Sequence, residues 1–194
     1  MKYTNLKAIV LAHALLAANV AISGEPPKGW FPAGSRPKDY EMTVDRTVVH
    51  SGNASASLKS AVSAPGGFGT LMQTFKADAY CGKRVRMSGY ARAQDVKDSA
   101  GLWMRVDGPS SKLLAFDNMQ DRPLKGTSDW KKCEIVLDVP ESAQDIAFGL
   151  LLTGAGQVWM DDLSFEVVGK DVPTTGPKMG AGAPPAPANL GFEE

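Results

Sequence analysis

The chain has 194 residues, and its 21 Lys and Arg residues balance its 21 Asp and Glu residues, so the formal net charge is zero. This neutrality argues against a nucleic-acid partner, because phosphate backbones are normally bound by a basic surface. It equally argues against a polybasic module that binds membrane surfaces. The length suits one domain of ordinary size.

The N-terminus has the parts of a secretory signal peptide. Lys2 and Lys7 flank a short polar head, and residues 8–22 then run almost wholly apolar. Small residues close this run, which predicts a signal peptide over residues 1–23 and cleavage before Gly24. A run of about 15 residues is shorter than the roughly 20 of a membrane-spanning helix. We therefore expect a periplasmic or secreted protein without a membrane span after cleavage; a buried helix of the domain is the alternative.

The rest of the sequence reads as short strands. Period-two alternation and short apolar runs recur between turns rich in Gly, Pro, Asp and Ser. The predicted strands cover residues 41–47, 54–60, 68–75, 84–93, 101–106, 113–118, 133–139, 145–152 and 158–168. This pattern predicts an all-β fold, an antiparallel two-sheet β-sandwich of jelly-roll type, over residues 24–170.

Alternation in two of these strands separates a core face from an outer face. In strand 84–93 the predicted core side chains are Val85, Met87, Gly89 and Ala91, and in strand 101–106 they are Leu102, Met104 and Val106. If strands 84–93 and 101–106 are neighbours, their outer side chains form one surface. Its members are Arg86, Tyr90, Arg92, Trp103, Arg105 and Asp107.

This outer surface has the chemistry of a sugar-binding sheet. An aromatic ring packs on the C–H face of a pyranose, and Arg and Asp bond to hydroxyls or to a uronic carboxylate. Asp117 and Asn118 end a strand and open a predicted long loop over residues 119–130, so they would rim the same groove. The alternative is a solvated sheet face, with Trp103 covered by a loop.

The predicted last strand contains a carboxylate that needs a partner. Strict alternation places Asp161 on the apolar face with Trp159 and Leu163, where an unpaired charge is costly. Backbone N–H groups, an arginine or a calcium ion would each satisfy it. In the calcium alternative Asp161 and Glu193 are the ligands; no other cofactor is predicted.

The two cysteines leave a disulfide open. Cys133 shares the predicted core face with Ile135 and Leu137, which is typical of a small buried residue. Cys81 lies in the turn before Arg84, at the far end from Cys133 if the two strands pair antiparallel. Export makes a disulfide chemically permissible.

Catalytic motifs are sparse. His13 would leave with the signal peptide, so His50 would be the one histidine of the mature chain. The sequence shows neither a nucleophile elbow nor a phosphate-binding glycine loop, and its histidines and cysteines are too few and too separated for a zinc site. We predict a protein that is not an enzyme, with paired carboxylates in a cleft, as in a small hydrolase, as the alternative.

Five strings carry a family resemblance over roughly residues 28–173. They are GFGTLMQTFKADAY, GKRVRMSGYARA, AGLWMRVDG, LAFDNMQDRPLKGTSDW and GQVWMDDLSFEVVG. They resemble bacterial exported jelly-roll domains, some of which are labelled AraC-type transcriptional regulators. The string VWMDDLSFEV is also similar to the last strand of carbohydrate-binding modules and galactose-binding-like domains. The resemblance implies a sandwich fold, and it implies no established activity.

The C-terminal residues divide into a linker and a short apolar string. Residues 171–188 are rich in Pro, Gly and Ala, which predicts an extended linker. Residues 189–194, Asn-Leu-Gly-Phe-Glu-Glu, alternate like a strand. In the resembling domains a similar string comes first, as the opening strand. We therefore predict that residues 189–194 return to the sandwich as a strand, in a monomer or a strand-swapped dimer; a disordered end is the alternative.

Together these features predict an exported ligand-binding sandwich that does not change its ligand chemically. A glycan is the favoured ligand because of the outer-face aromatic and charged residues. A structural or protein-interaction module of the cell envelope is the alternative.

Overall fold

The structure is a computed structural model that describes residues 25–176. The predicted signal peptide, its cleavage site, most of the linker and the predicted strand at 189–194 lie outside the described residues. Helical structure within residues 25–176 is limited to two three-residue 3-10 turns, Pro37–Asp39 and Pro109–Ser111. No helix in this part of the chain is long and apolar enough to cross a membrane.

Residues 25–176 form nine strands, and every pair of neighbours among them is antiparallel. Their bounds are β1 Phe31–Gly34, β2 Tyr40–Asp45, β3 Ser55–Ser60, β4 Phe68–Lys76, β5 Arg84–Asp107, β6 Leu113–Asp117, β7 Leu124–Asp138, β8 Asp145–Thr153 and β9 Gln157–Val168.

Strand β5 belongs to both sheets of the sandwich. Its first half pairs with β7 on one side and β9 on the other, and its second half pairs with β8 and β6. The first sheet therefore has the order β1-β4-β8-β5-β6, and the second has the order β7-β5-β9-β3-β2. The prediction of an all-β, antiparallel two-sheet sandwich is confirmed.

Some strand boundaries differ from the prediction. The predicted strands 84–93 and 101–106 are the two halves of β5, joined through register shifts around Asp95, which has a φ of 53°. Strand β7 begins at Leu124, so the predicted long loop over residues 119–130 is wrong. The first residues of β7 are mostly exposed and polar, which hides the strand from an alternation analysis. Strand β1 was not predicted, and it is a four-residue edge strand containing Pro32.

The core lies between the two sheets, and β5 contributes to it along its whole length. Val85, Met87, Leu102 and Met104 are fully buried, as alternation predicts. Each large apolar side chain buried between the two sheets stabilises the folded domain by about 1.5–3 kcal/mol.

A bulge in β9 breaks the alternation assumed from the sequence. Tyr90 is the partner of Asp161 and Ser88 is the partner of Ser164, so β9 has one extra residue between these pairs. Asp162 lies in this bulge with a φ of 51°. The prediction that Asp161 shares the apolar face with Leu163 is therefore wrong: Asp161 lies on the outer face beside Tyr90, and the alternation changes sides after it.

The cysteines do not form a disulfide. Cys81 is half-buried and Cys133 is buried, and both thiols are free. The Cys133 partner on β5 is Gly89, whereas Cys81 precedes the start of β5 and contacts the carbonyl oxygens of Ala77 and Ala143. The core position predicted for Cys133 is confirmed.

Residues at the start of the predicted linker contact the domain. Arg84 donates hydrogen bonds to the carbonyl groups of Lys170 and Val172. The backbone N–H of Thr175 donates to the carbonyl of Val136 at 3.0 Å, beside the free edge of β7. The folded domain thus includes residues up to at least Gly176.

Candidate functional site

A wide recess lies on the outer face of the first sheet, and we name it the Trp103 groove. Its volume is about 610 Å³, which is within the range of small-ligand sites. The groove crosses the sheet from β4 through β8 to β5, and its lining residues on these strands lie in rows set by the strand pairing. The lining residues are Ala33, Gly34, Phe68, Thr70, Met72, Thr74, Trp103, Arg105, Asp107, Ser111, Phe116, Asp145, Ala147 and Leu151.

The indole of Trp103 forms part of the floor of this groove. Its Nε1–H donates a 2.7 Å hydrogen bond to the hydroxyl of Thr70, which lies two strands away on β4. The partner of Trp103 on the intervening strand β8 is Gly149. Because Gly149 has no side chain, the indole crosses β8 close to the backbone. The ring is consequently fixed in place and only 8% exposed.

Charged side chains occupy the end of the groove beyond Trp103. Arg105 Nε donates to Asp107 Oδ1 at 2.8 Å. Asp145 is the partner of Asp107 on β8 and accepts a 2.8 Å bond from Lys76 Nζ. The Arg105 side chain is 41% exposed and that of Asp107 is 17% exposed. This end therefore offers guanidinium donors and carboxylate acceptors to a ligand beside an apolar floor.

Phe116 connects the groove to further recesses. It is the partner of Arg105 across β5 and β6. It also lines a neighbouring recess of about 330 Å³ together with Asn118 and Gln120. The predicted rim position of Asn118 thus lies next to the groove, although Asn118 does not line the groove itself.

Asp117 has a structural role and does not lie on the ligand-binding rim that the sequence predicted. It is 3% exposed, and its carboxylate accepts bonds from Arg122 and Thr175 side chains, both at 2.6 Å, and from the Met119 N–H at 2.8 Å. Burial opposes ionisation of this carboxyl, but these hydrogen bonds outweigh it and lower its pKa. Its lone pairs are occupied by protein donors.

Tyr90 and Arg92 lie on the outer face of the second sheet, so the predicted single surface is wrong. They belong to the first half of β5, whereas Trp103, Arg105 and Asp107 belong to the half that pairs with β8. Since the two outer faces of a sandwich point in opposite directions, one small ligand cannot contact both groups.

Tyr90 is covered by another ring. The His50 imidazole stacks on Tyr90 with ring centroids 3.6 Å apart and an interplanar angle of 15°. His50 Nδ1 lies 2.6 Å from Asp162 Oδ2, and the hydroxyl of Ser51 donates to Asp162 Oδ1 at 2.7 Å. Ser51 and His50 thus both bind Asp162 instead of each other, which is not the geometry of a Ser-His-Asp triad.

Backbone groups satisfy Asp161. Its Oδ2 accepts bonds from the N–H groups of His50 at 2.9 Å and Ser51 at 3.2 Å, and its Oδ1 accepts from the N–H of Asp162 at 2.8 Å. Residues 25–176 contain no cluster of three or more His, Cys, Asp or Glu side chains arranged to hold a metal ion. Glu193, the second ligand of the predicted calcium site, lies outside the described residues.

Sequence reasoning missed several groove residues. Thr70, Phe116 and Asp145 lie on strands that were predicted, but the order of strands in the sheet was not known. The available signal was strand alternation, because side chains two residues apart in a strand point to the same face of the sheet. Assigning them to the same groove required the pairing of β4, β8, β5 and β6.

Comparison with solved structures defines the class of fold. The C-terminal family 22 carbohydrate-binding module of Clostridium thermocellum Xyn10B matches 76% of this chain and 91% of its own, with 13% identity and a TM-score of 0.55. The enzymatically active domain of the bacteriophage CBA120 tailspike protein 4 matches 73% of this chain and 20% of its own, with 12% identity and a TM-score of 0.57. These similarities show that the chain shares a β-sandwich fold with both proteins.

One curated relative is much closer in sequence. The chain is 49% identical over 168 residues to a Bacillus subtilis (strain 168) protein named uncharacterized HTH-type transcriptional regulator YbfP. The aligned region covers 86% of this chain and 57% of that protein, so the chain spans little more than half of its relative. The described residues 25–176 contain no helix-turn-helix, because their helices are three-residue turns. No protein-family model matches the chain.

Proposed function

We propose that this protein binds a glycan in the Trp103 groove and leaves it chemically unchanged. The observation that carries the proposal is the fixed indole of Trp103 on an outer sheet face, with Arg105 and Asp107 at its end. The similarity of the fold to carbohydrate-binding modules supports it.

The groove fits the two kinds of surface that a sugar presents. A pyranose ring has an apolar C–H face, which packs on a flat aromatic ring, and a perimeter of hydroxyls that both donate and accept hydrogen bonds. Trp103 and Phe116 supply apolar contact, and Arg105 supplies donors at one end. Asp107 and Asp145 supply acceptors beside it. A ligand rich in hydroxyls would therefore have partners for both its face and its edge.

Binding to a panel of soluble oligosaccharides and polysaccharides, measured by affinity electrophoresis and calorimetry, tests the proposal. Arg105→Ala and Phe116→Ala should each weaken binding of a retained glycan about tenfold, or about 1.4 kcal/mol. Both residues are partly exposed, so their loss should leave the fold intact. Tyr90→Ala and Arg92→Ala are matched controls on the opposite sheet and should leave binding unchanged.

Two results would contradict the proposal in different ways. If no glycan of the panel is retained, the ligand class is wrong. If a glycan is retained and only the Tyr90 or Arg92 variant loses it, the site belongs on the outer face of the second sheet.

The absence of chemical change is part of the same proposal. Asp107 and Asp145 are neighbours in the groove, and paired carboxylates are the groups that a glycosidase would need. We expect no new reducing ends after long incubation with any retained glycan. Release of reducing ends that stops on Asp107→Asn would identify a hydrolase instead.

We also propose that the protein is exported to the periplasm or secreted, on the basis of the signal-peptide pattern in residues 1–23. N-terminal sequencing of material from the native host should begin near Gly24. An intact Met1 in a cytoplasmic fraction would contradict export.

A further inference from the structure

A second recess, which we name the edge slot, lies where the second sheet meets the chain around Trp30. It has a volume of about 270 Å³. Its walls are mostly apolar and come from four separate parts of the chain. The lining residues are Pro27, Trp30, Val44, Ala54, Ser55, Ala56, Met160, Asp161, Asp162 and Leu163.

The sandwich core is uncovered at the edge slot. Ala91, Met160, Ala56 and Val44 are successive partners across β5, β9, β3 and β2, so they form one row on the inner face of the second sheet. Ala91 and Met160 are buried, but Val44 at the end of the row is 36% exposed. An inner-face row that ends in solvent lacks the apolar cover that the rest of the core has.

Other inner residues around the edge slot show the same lack of cover. Trp30 packs edge-on against the core residue Phe148 at 5.3 Å, and Phe165 packs against Phe148 at 4.9 Å. Trp30 and Leu163 line the slot and pack against the core, but both are nevertheless only half-buried. One short apolar segment laid along the slot would complete the burial of this side of the sandwich.

We propose that residues 189–194 of the same chain occupy the edge slot. Leu190 and Phe192 alternate with polar and small residues, so a strand formed by this segment presents both to one side. Apart from Leu190 and Phe192, the large apolar side chains of residues 177–194 amount to Met179 alone. The segment is therefore the part of the C-terminal residues with the chemistry that the slot requires.

The chain is long enough to make this connection. Thr175 is bound at the edge of β7, and the slot lies about three strand spacings across the second sheet, roughly 14 Å. Along the strands, the level of Val136 is four residues from that of Asp161 on β5, or roughly 13 Å. Twelve residues, 177–188, span about 37 Å in polyproline form, which exceeds the diagonal of these two distances.

The charges at the slot permit an acidic segment. Asp162 is bound by His50 and Ser51, and Asp161 accepts three backbone N–H groups, so both carboxylates already have donors. Lys28 directly follows the lining residue Pro27 in the sequence. Arg46 comes two residues after the lining residue Val44, and both Lys28 and Arg46 are exposed.

Hydrogen–deuterium exchange tests the proposal. We compare the full chain with a variant lacking residues 189–194 and with the double variant Leu190→Ser, Phe192→Ser. Exchange should become faster in peptides covering Ala54–Ala56 and Met160–Leu163, and it should not change in β8 beneath the Trp103 groove. The melting temperature should fall by about 2–4 °C or more, the shift that about 1 kcal/mol produces in a domain of this size.

Met179→Ser is the matched control, because it removes an apolar side chain from the linker and not from residues 189–194. It should leave exchange and melting unchanged. A synthetic Asn-Leu-Gly-Phe-Glu-Glu peptide added to the truncated chain should restore protection at the slot.

The remaining outcomes each overturn the proposal. Unchanged exchange and melting in the truncated chain would show that residues 189–194 do not bind the slot. Protection that depends on protein concentration, together with a dimeric mass by light scattering, would show that the segment binds a second copy. Protection lost on removal of residues 1–23 instead would show that the N-terminal residues cover the slot.

Discussion

The indole N–H of Trp103 donates to the hydroxyl of Thr70, and this hydroxyl donates in turn to the carbonyl of Leu150 at 2.8 Å. Both side chains are less than a tenth exposed. Trp103 is consequently a structural residue of the first sheet as well as the floor of the groove. Its replacement by alanine would confound loss of binding with loss of stability.

A double-mutant cycle on Trp103 and Thr70 should measure this coupling. Thr70→Val leaves the indole N–H buried without an acceptor, so it should lower the free energy of unfolding by about 1–3 kcal/mol. Trp103→Phe removes the donor and should cost about 1 kcal/mol for the hydrogen bond, plus the lost ring volume. The double variant should lose less than the sum, as measured by urea unfolding. Strict additivity would mean that the bond contributes nothing.

Gly149 should tolerate no side chain. A Cβ at this position would collide with the backbone carbonyl of Leu71 and approach the Cα of Met72 to 3.0 Å. Gly149→Ala should therefore lower the melting temperature by several degrees, since about 1 kcal/mol is worth roughly 2–4 °C here. Gly66→Ala is the matched control, because its nearest neighbour would be the Arg36 side chain at 3.5 Å. Equal melting curves for the two variants would contradict the close approach of β4 and β8.

Stability should fall in acid partly through Asp138. The hydrogen bond from Arg84 lowers the pKa of this carboxyl from 3.8 to about 2, and Lys170 adds to the effect. A carboxyl with a lowered folded-state pKa stabilises the protein fully above its unfolded value and loses that contribution as the pH falls from about 4 to about 2. The Asp138 side chain is 46% exposed, so solvent screening limits the effect to about 1 kcal/mol or less.

Urea unfolding as a function of pH measures this contribution. Asp138→Asn should be less stable than the wild type at pH 6, and the difference should shrink as the pH falls from about 4 through about 2. Lys170→Ala keeps the Arg84 pair and should retain most of the acid-dependent loss. A constant difference between Asp138→Asn and wild type across this range would contradict the assignment.

The two free thiols should differ in reactivity. Cys133 is 6% exposed, and burial raises the pKa of its thiol, so little of the reactive thiolate is available at neutral pH. Cys81 is half-buried and should be alkylated first by iodoacetamide at pH 8. Mass spectrometry of the native protein should then show one modified site before the second. In denaturant both cysteines should react at similar rates.

The same experiment examines the disulfide that the sequence left open. Two free thiols per chain before reduction agree with the structure. An intact chain lighter by two hydrogen atoms, with no alkylation until a reductant is added, would contradict it.

The fold was predictable because most strands carry a local signal. Val85, Met87, Leu102 and Met104 alternate with polar neighbours, and each is fully buried as expected. The turns between strands are equally visible in Gly, Pro and Asp. Local signals of this kind specify strands and their faces, and two packed sheets follow as the way to bury those faces.

The site was only half predictable, since it depends on pairing between distant residues. Trp103, Arg105 and Asp107 were predicted on one outer face, and they lie together in the groove because they share one half of β5. Tyr90 was wrongly added, because the sequence gives no sign that β5 passes from one sheet to the other. The bulge at Asp162 moves Leu163 to the inner face, and the sequence analysis missed it. An extra residue in a strand has no clear signature in the amino-acid composition.

Strand β5 has a consequence for how the molecule unfolds. The 24 residues of β5 supply a central strand to each sheet. If one sheet unfolded completely, the other would therefore lose part of its central strand and the hydrogen bonds that this strand makes. Partial unfolding by loss of one whole sheet is therefore disfavoured, and the domain should melt in a single cooperative transition with equal calorimetric and van't Hoff enthalpies. Most contacts of the domain join strands that are far apart in the sequence, so we expect folding to be slow, on a timescale of about milliseconds to seconds.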